Sequence, residues 1–302
     1  WGSPLFVGGE SYGTTRAAGL AGYLTDRVYP PNGVMLLSAI FDSNAGAGEQ
    51  RHLGTTATEI MTSHYHKKLG PDLQKLTVDQ MAEEARRFVG GEYLEYLFDG
   101  ARAAPARRES ALNNLVRLTG LPKAFVDDLD LRVGLGPYST ELLRDRHLMT
   151  SRLDSRFAGF QIDGGSMSTS FDFSNANIAN CFLTCFQDYI RNDLKYANDH
   201  IYYVSGNAPP WSGEYNTVLN LESAFAKNPH LKLFVGFGYY DFATPFFPVE
   251  WTLAHMRVSD EVRKNNISLG YYASGHMVYI DRKEAAKYHA DLVKFVKGAL
   301  PK

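Results

Sequence analysis

Cysteine is nearly absent: the 302 residues hold two, Cys181 and Cys185. A disulfide framework is therefore excluded. Their i, i+4 spacing would put both on one face of a helix, where two buried thiols are expected rather than a strained local bridge. Long apolar runs are missing too, since no stretch approaches the roughly 18 residues of a membrane-spanning helix. Neither sign of charge is in excess: 31 Lys and Arg stand against 33 Asp and Glu, for a net charge of −2. Nucleic acid and an anionic membrane surface are thus not expected as partners. There are no internal repeats and no low-complexity tracts. His64 and His66 lie two apart on a predicted helix, on different faces, so no metal site is expected; nor is any cofactor. Asn266-Ile267-Ser268 matches the N-glycosylation pattern, which means little by itself.

Glycine, by contrast, is plentiful, with 27 residues, and its placement is most informative in PLFVGGESYGTTR, residues 4–16. A short apolar strand, residues 5–8, runs into a Gly-rich turn and then into a predicted helix over residues 14–24. GESYG is a GxSxG pattern, in which glycines let strand and helix approach closely and leave Ser11 exposed on a strained turn. Ala17, Ala18, Gly19, Ala21 and Gly22 are small enough to pack that helix tightly against a sheet. A second apolar run, VMLLSAIF at 34–41, completes a βαβ unit and predicts a parallel sheet buried on both faces.

Helical periodicity then takes over. Helices are predicted over 55–69, over 77–97 with a capping box from Thr77 and Gln80, over 105–120 and over 175–196. Residues 144–157 mix Arg144, Arg146, Arg152 and Arg156 with Asp145 and Asp154, the pattern of a solvated hairpin or loop with local ion pairs rather than an anion site. Strands resume at 231–236 and 267–272, and a last helix over 282–300 is expected to bury Ala285, Tyr288, Leu292, Val293 and Val296. The fold class is α/β: a core in two parts, residues 1–42 and 201–302, with a mainly helical cap, residues 43–200, inserted after the second strand. Trp211, Phe246, Phe247 and Trp251 are expected in the core or at a rim rather than in a substrate pocket.

Two strand ends carry chemistry. The 231–236 strand runs into FGYYD, which lifts Asp241 past its carboxyl end, and the 267–272 strand runs into ASGH, which does the same for His276. In open parallel sheets these ends gather at one edge, so Ser11, Asp241 and His276 are expected together. A serine hydroxyl needs a base to take its proton, an imidazole titrates near neutral pH, and a buried carboxylate fixes the tautomer of that imidazole. The backbone N–H of Tyr12 would supply one oxyanion donor. Serine, acid, histidine is the chain order of the α/β-hydrolases.

GESYG at 9–13, FGYYDFATP at 237–245 and SGHMVY at 274–279 resemble the three signature patches of the serine carboxypeptidase family, a branch of the α/β-hydrolases. The resemblance runs from about Pro4 to Phe295, strong in the patches and weak through the cap; Tyr279, where many members have proline, is more similar to bacterial members. It implies an α/β-hydrolase fold, a Ser11–His276–Asp241 triad that releases C-terminal residues through an acyl-enzyme, peptide substrates with a free C-terminus, and an exported location. It further implies that Glu10 binds the substrate's terminal carboxylate, for which Glu10 is expected to hold a proton and to have a raised pKa. An acyltransferase or esterase on the same scaffold stays open, as does a non-catalytic binding module. The family's Gly-rich oxyanion segment and other carboxylate-binding residues lie upstream of the GESYG turn. The apolar first strand is expected to be central, and an N-terminal half of the same protein is expected to pair with it, the segment alone being inactive and prone to associate.

Overall fold

The computed structural model describes residues 2–42, 48–160, 172–197 and 215–300. It is a mixed α/β structure built on a four-stranded sheet flanked by helices. The strands are β1 (Phe6–Glu10), β2 (Gly33–Leu37), β5 (Lys232–Gly238) and β6 (Ile267–Tyr272), in the order β1-β2-β5-β6 and all parallel. Between them in sequence, β3 (Leu148–Thr150) and β4 (Ala158–Phe160) form a small antiparallel pair.

Period-two alternation splits the sheet's apolar residues between two faces. Val34, Leu36, Leu233 and Val235 point into one large hydrophobic cluster, while Leu37, Phe234 and Tyr272 point into a second, joined by Phe6 and Met35. The last helix, Arg282–Ala299, covers the second face with Phe295, Tyr288, Leu292 and Val296. Val293, expected to be buried there, is 38% exposed, because the helical repeat turns it off the stripe that Leu292 and Phe295 define. β5 is buried along nearly its whole length, as an interior parallel strand should be. Among the described residues β1 is the edge strand, paired with β2 alone and half-buried, so its outer edge lacks a partner within them, as expected of this segment.

The helical region shares the larger cluster with the sheet. Ile60, Met61, Met81, Leu112 and Tyr138 belong to the same continuous core as Leu36 and Val235. Its central helix, Gln50–Tyr65, starts earlier than its periodicity suggests and is buried from Leu53 to His64. The helix expected over 77–97 is two helices, Val78–Val89 and Glu92–Asp99, because Gly90-Gly91 interrupts it; the capping box from Thr77 and Gln80 is present. Helix Phe173–Asp188 ends in a π-helical turn, Tyr189–Asp193. Cys185, expected to be buried, is an exposed free thiol. Phe246 and Phe247 are buried and Trp251 is partly buried, whereas Trp211 lies outside the described residues. Asn266 is buried and donates its amide to the Pro229 carbonyl at 2.6 Å, which removes it as a glycosylation acceptor in the folded chain.

One carboxyl is out of place in this core. Glu59 is fully buried on helix Gln50–Tyr65, and among the described residues neither of its oxygens makes a hydrogen bond of normal geometry. Burial pushes its pKa up to about 8, against weaker pulls from Thr56 and the Gly134 backbone. A carboxyl whose folded value is raised destabilises the fold progressively as pH climbs from its unfolded value of 4.5 to about 8. Glu59→Gln should therefore stabilise the protein by on the order of 2–3 kcal/mol at pH 8, and the difference should shrink towards pH 5. Denaturant melts at the two pH values measure this, and a difference that does not change with pH would refute it.

Candidate active site

The turn after β1 is built to expose Ser11. Its backbone sits at φ 53, ψ −129, a region that costs a residue with a side chain roughly 1–3 kcal/mol. Helix Tyr12–Asp26 begins at once, yet the serine hydroxyl does not cap it. The first turn is tied down otherwise: Thr14 donates through its N–H and its hydroxyl to the Ser11 carbonyl (2.9 and 2.6 Å), and Thr15 Oγ1 donates to the Ile40 carbonyl at 2.7 Å. The approach of strand and helix is so close that a Cβ on Gly9 would overlap the Gly13 carbonyl. Ala17, Ala18, Ala21 and Gly22 make the buried face of the helix, as their size suggests. Tyr12, the first helical residue, carries its backbone N–H at the positive end of the helix dipole.

Asp241 and His276 meet directly. Nδ1 of His276 lies 2.7 Å from Oδ2 of Asp241, a carboxylate with no solvent exposure. The backbone N–H groups of Ala243 (2.7 Å) and Thr244 (3.0 Å) donate to Oδ1, and the Thr244 hydroxyl donates to Oδ2 at 2.7 Å. Burial alone would raise the Asp241 pKa, but His276 and the Thr244 donors outweigh it and hold the carboxyl below its ordinary value. Burial likewise lowers the His276 pKa, whereas Asp241 and then Glu10 raise it, Arg152 opposing; the net direction is upward.

The serine turn and the histidine loop are held to one another. Ser11 N–H donates to the Leu37 carbonyl at 3.0 Å, and the next residue, buried Ser38, donates its hydroxyl to the His276 carbonyl at 2.7 Å. On the other side Glu10, adjacent to Ser11, accepts the Tyr279 hydroxyl on both oxygens (3.1 and 2.9 Å). Ser11, Glu10, Asp241 and His276 thus gather at the carboxyl ends of the parallel strands, the position expected for a ligand site.

Sequence reasoning missed Ser38, Thr244 and Arg156. Thr244 had a local signal, since an Asp followed by donors two and three residues on makes an Asx-type turn. Ser38 and Arg156 had none: the partners of Arg156 at Ala273, Ser274 and Asp281 lie 117, 118 and 125 residues away. Contrary to expectation, Asp154 and Arg156 do not form a solvated ion pair. Asp154 is buried and the guanidinium nearly so, beneath the histidine loop. Among the described residues no group of three or more His, Cys, Asp or Glu is arranged to hold a metal ion. A scan against protein-family models finds no match to this chain, and a search of curated proteins finds no relative.

The charge on Glu10 makes a checkable contribution. In an NMR titration His276 should change protonation above the ordinary imidazole value of 6.5, and Glu10→Gln should lower its midpoint. The stabilisation from the raised histidine is present at low pH and lost as pH rises through the folded value; that from Asp241 is present above 3.8 and lost as pH falls through its depressed value. A midpoint unmoved in Glu10→Gln would show that the carboxylate is screened from the ring.

Proposed function

We propose that this chain is a serine hydrolase of the α/β-hydrolase type that, like the serine carboxypeptidases it resembles, releases C-terminal residues from peptides. The observation that carries the reading is the buried Asp241–His276 pair, joined at 2.7 Å at the same carboxyl edge of the sheet as a serine at φ 53. A carboxylate bonded to Nδ1 fixes the tautomer whose Nε2 can act as a base. Nε2 would take the Ser11 proton as Oγ attacks the scissile carbonyl, and the Tyr12 N–H would stabilise the oxyanion. Collapse of the tetrahedral intermediate returns the proton to the departing amine and leaves an acyl-enzyme on Ser11, which water hydrolyses by the same steps. Peptides with a free C-terminus are the substrates proposed, with Glu10 as the group that meets their carboxylate.

A second reading, an esterase or acyltransferase, gains from one observation. Both oxygens of Glu10 already accept the Tyr279 hydroxyl, so a substrate carboxylate would have to share or displace that bond. An ester or acyl donor without a carboxylate makes no such demand.

A fluorophosphonate probe is expected to label the protein on Ser11, with labelling lost in Ser11→Ala and reduced by roughly a thousandfold or more in His276→Ala. Labelling that persists in Ser11→Ala would sink the hydrolase reading. Product analysis separates the two chemistries: release of the C-terminal residue from an N-blocked dipeptide is expected of a carboxypeptidase, and turnover of the matching ester alone favours the second reading.

A further inference from the structure

Three backbone hydrogen bonds converge from one short segment, residues 152–156, onto the two loops that carry the acid and the histidine. The Arg152 carbonyl accepts the Phe242 N–H at 3.1 Å, the Leu153 carbonyl accepts the His276 N–H at 2.7 Å, and the Ser155 N–H donates to the Tyr240 carbonyl at 3.0 Å. The segment therefore grips the residues on either side of Asp241 and the histidine itself. Its far side is fastened to helix Gln50–Tyr65 and its C-cap: Ser155 Oγ lies 2.6 Å from Thr62 Oγ1, and the Ser155 carbonyl lies 2.8 Å from His66 Nε2.

Arg156 closes the arrangement. Its Nε and Nη2 clasp the Asp154 carboxylate (3.0 and 2.7 Å), Nη1 donates to the Ala273 carbonyl at 2.7 Å and to Asp281 at 3.0 Å, and Nη2 donates to Ser274 Oγ at 3.2 Å. A planar guanidinium offers five donors in a rigid fork, so spending them on three elements at once fixes those elements in angle as well as distance. The fit leaves no slack, because a Cβ on Gly275 would overlap the Asp154 side chain. Such a buried pair is a poor source of net stability, since apolar residues of similar volume often replace it without loss; what it supplies is geometry.

We propose that residues 152–156 are a positioning strap, anchored by Arg156, that sets the His276 imidazole on Asp241. The inference rests on reading Asp241 and His276 as a catalytic pair. Arg156 touches neither side chain and acts through the backbones at 273–276 and 240–242. The charged groups that act on the imidazole are Asp241 from the loop after β5, Glu10 from β1 and Arg152 from the strap itself.

The test compares the full chain with Arg156→Lys, which keeps the charge and loses the fork, and with Asp154→Leu/Arg156→Met, which removes both charges together. Two quantities are followed against pH: the proton NMR signal of His276 Nδ1–H with its titration midpoint, and the rate at which a fluorophosphonate labels Ser11. In folded variants the signal is expected to broaden or move upfield, the His276 midpoint to fall towards the ordinary imidazole value, and labelling to slow by roughly ten- to a hundredfold. Arg156→Lys should recover only part of each. Folded variants with the wild-type signal, midpoint and labelling rate would overturn the proposal. So would failure of both variants to fold, which would make the strap a folding element only. Absence of labelling in the wild type would remove the hydrolase reading, and the NMR comparison would still decide whether the strap holds His276 on Asp241.

Discussion

The interaction on which this site depends is the seating of one carboxylate. Asp241 has no contact with solvent, and an ion in that position is tolerable only if its oxygens are fully engaged. Four donors meet the need: His276 Nδ1, the Thr244 hydroxyl, and the backbone N–H groups of Ala243 and Thr244. Three come from the turn that carries Asp241, so the carboxylate is largely organised before the histidine arrives. The fourth has to be delivered from the neighbouring strand. Parallel pairing of β5 with β6, in a register that sets Gly238 opposite Tyr272, brings the two loops off the sheet side by side.

Delivery requires more than register, because the loop after β6 has to reach back over β5 to Asp241 and to Ser38 at the end of β2. Ser38 and the strap hold that loop from opposite sides, one through the His276 carbonyl and the other through its N–H. Both peptide groups of the histidine are thereby fixed by residues far away in sequence. Ser38 resembles Ser11 in a further respect: each follows directly on its strand with positive φ, 52 and 53. Two adjacent strands end in the same uncommon backbone state, and each places a serine at the edge of the site.

How much of this was legible follows from the range of the interactions. The GESYG turn, the βαβ unit, the capping box and the strand-to-loop transitions at Asp241 and His276 depend on neighbours within a few residues, and glycine placement and hydrophobic period report on those directly. The break at Gly90-Gly91 was readable too, but the helical period on either side masked it. The strap was not. Arg152, Asp154 and Arg156 look like any run of mixed charge, and what removes Asp154 and Arg156 from water is the packing of loops more than eighty residues away in either direction.

Asp241 and Glu59 show that burial by itself decides nothing about charge. Both carboxyls are completely enclosed, and burial drives the pKa of each upward. Asp241 ends below its ordinary value because four donors meet it, His276 among them, whereas Glu59 ends near 8 because among the described residues no donor of normal geometry does. At neutral pH the first is an anion held for use by a neighbour, while the second is predominantly a neutral acid within an apolar core. The two respond oppositely to pH, one losing its stabilising effect in acid and the other turning destabilising in base. The folded chain is therefore most secure where the acid beside His276 is charged and the acid beside Thr56 is not, and it is the arrangement of nearby donors, more than depth in the core, that draws that line.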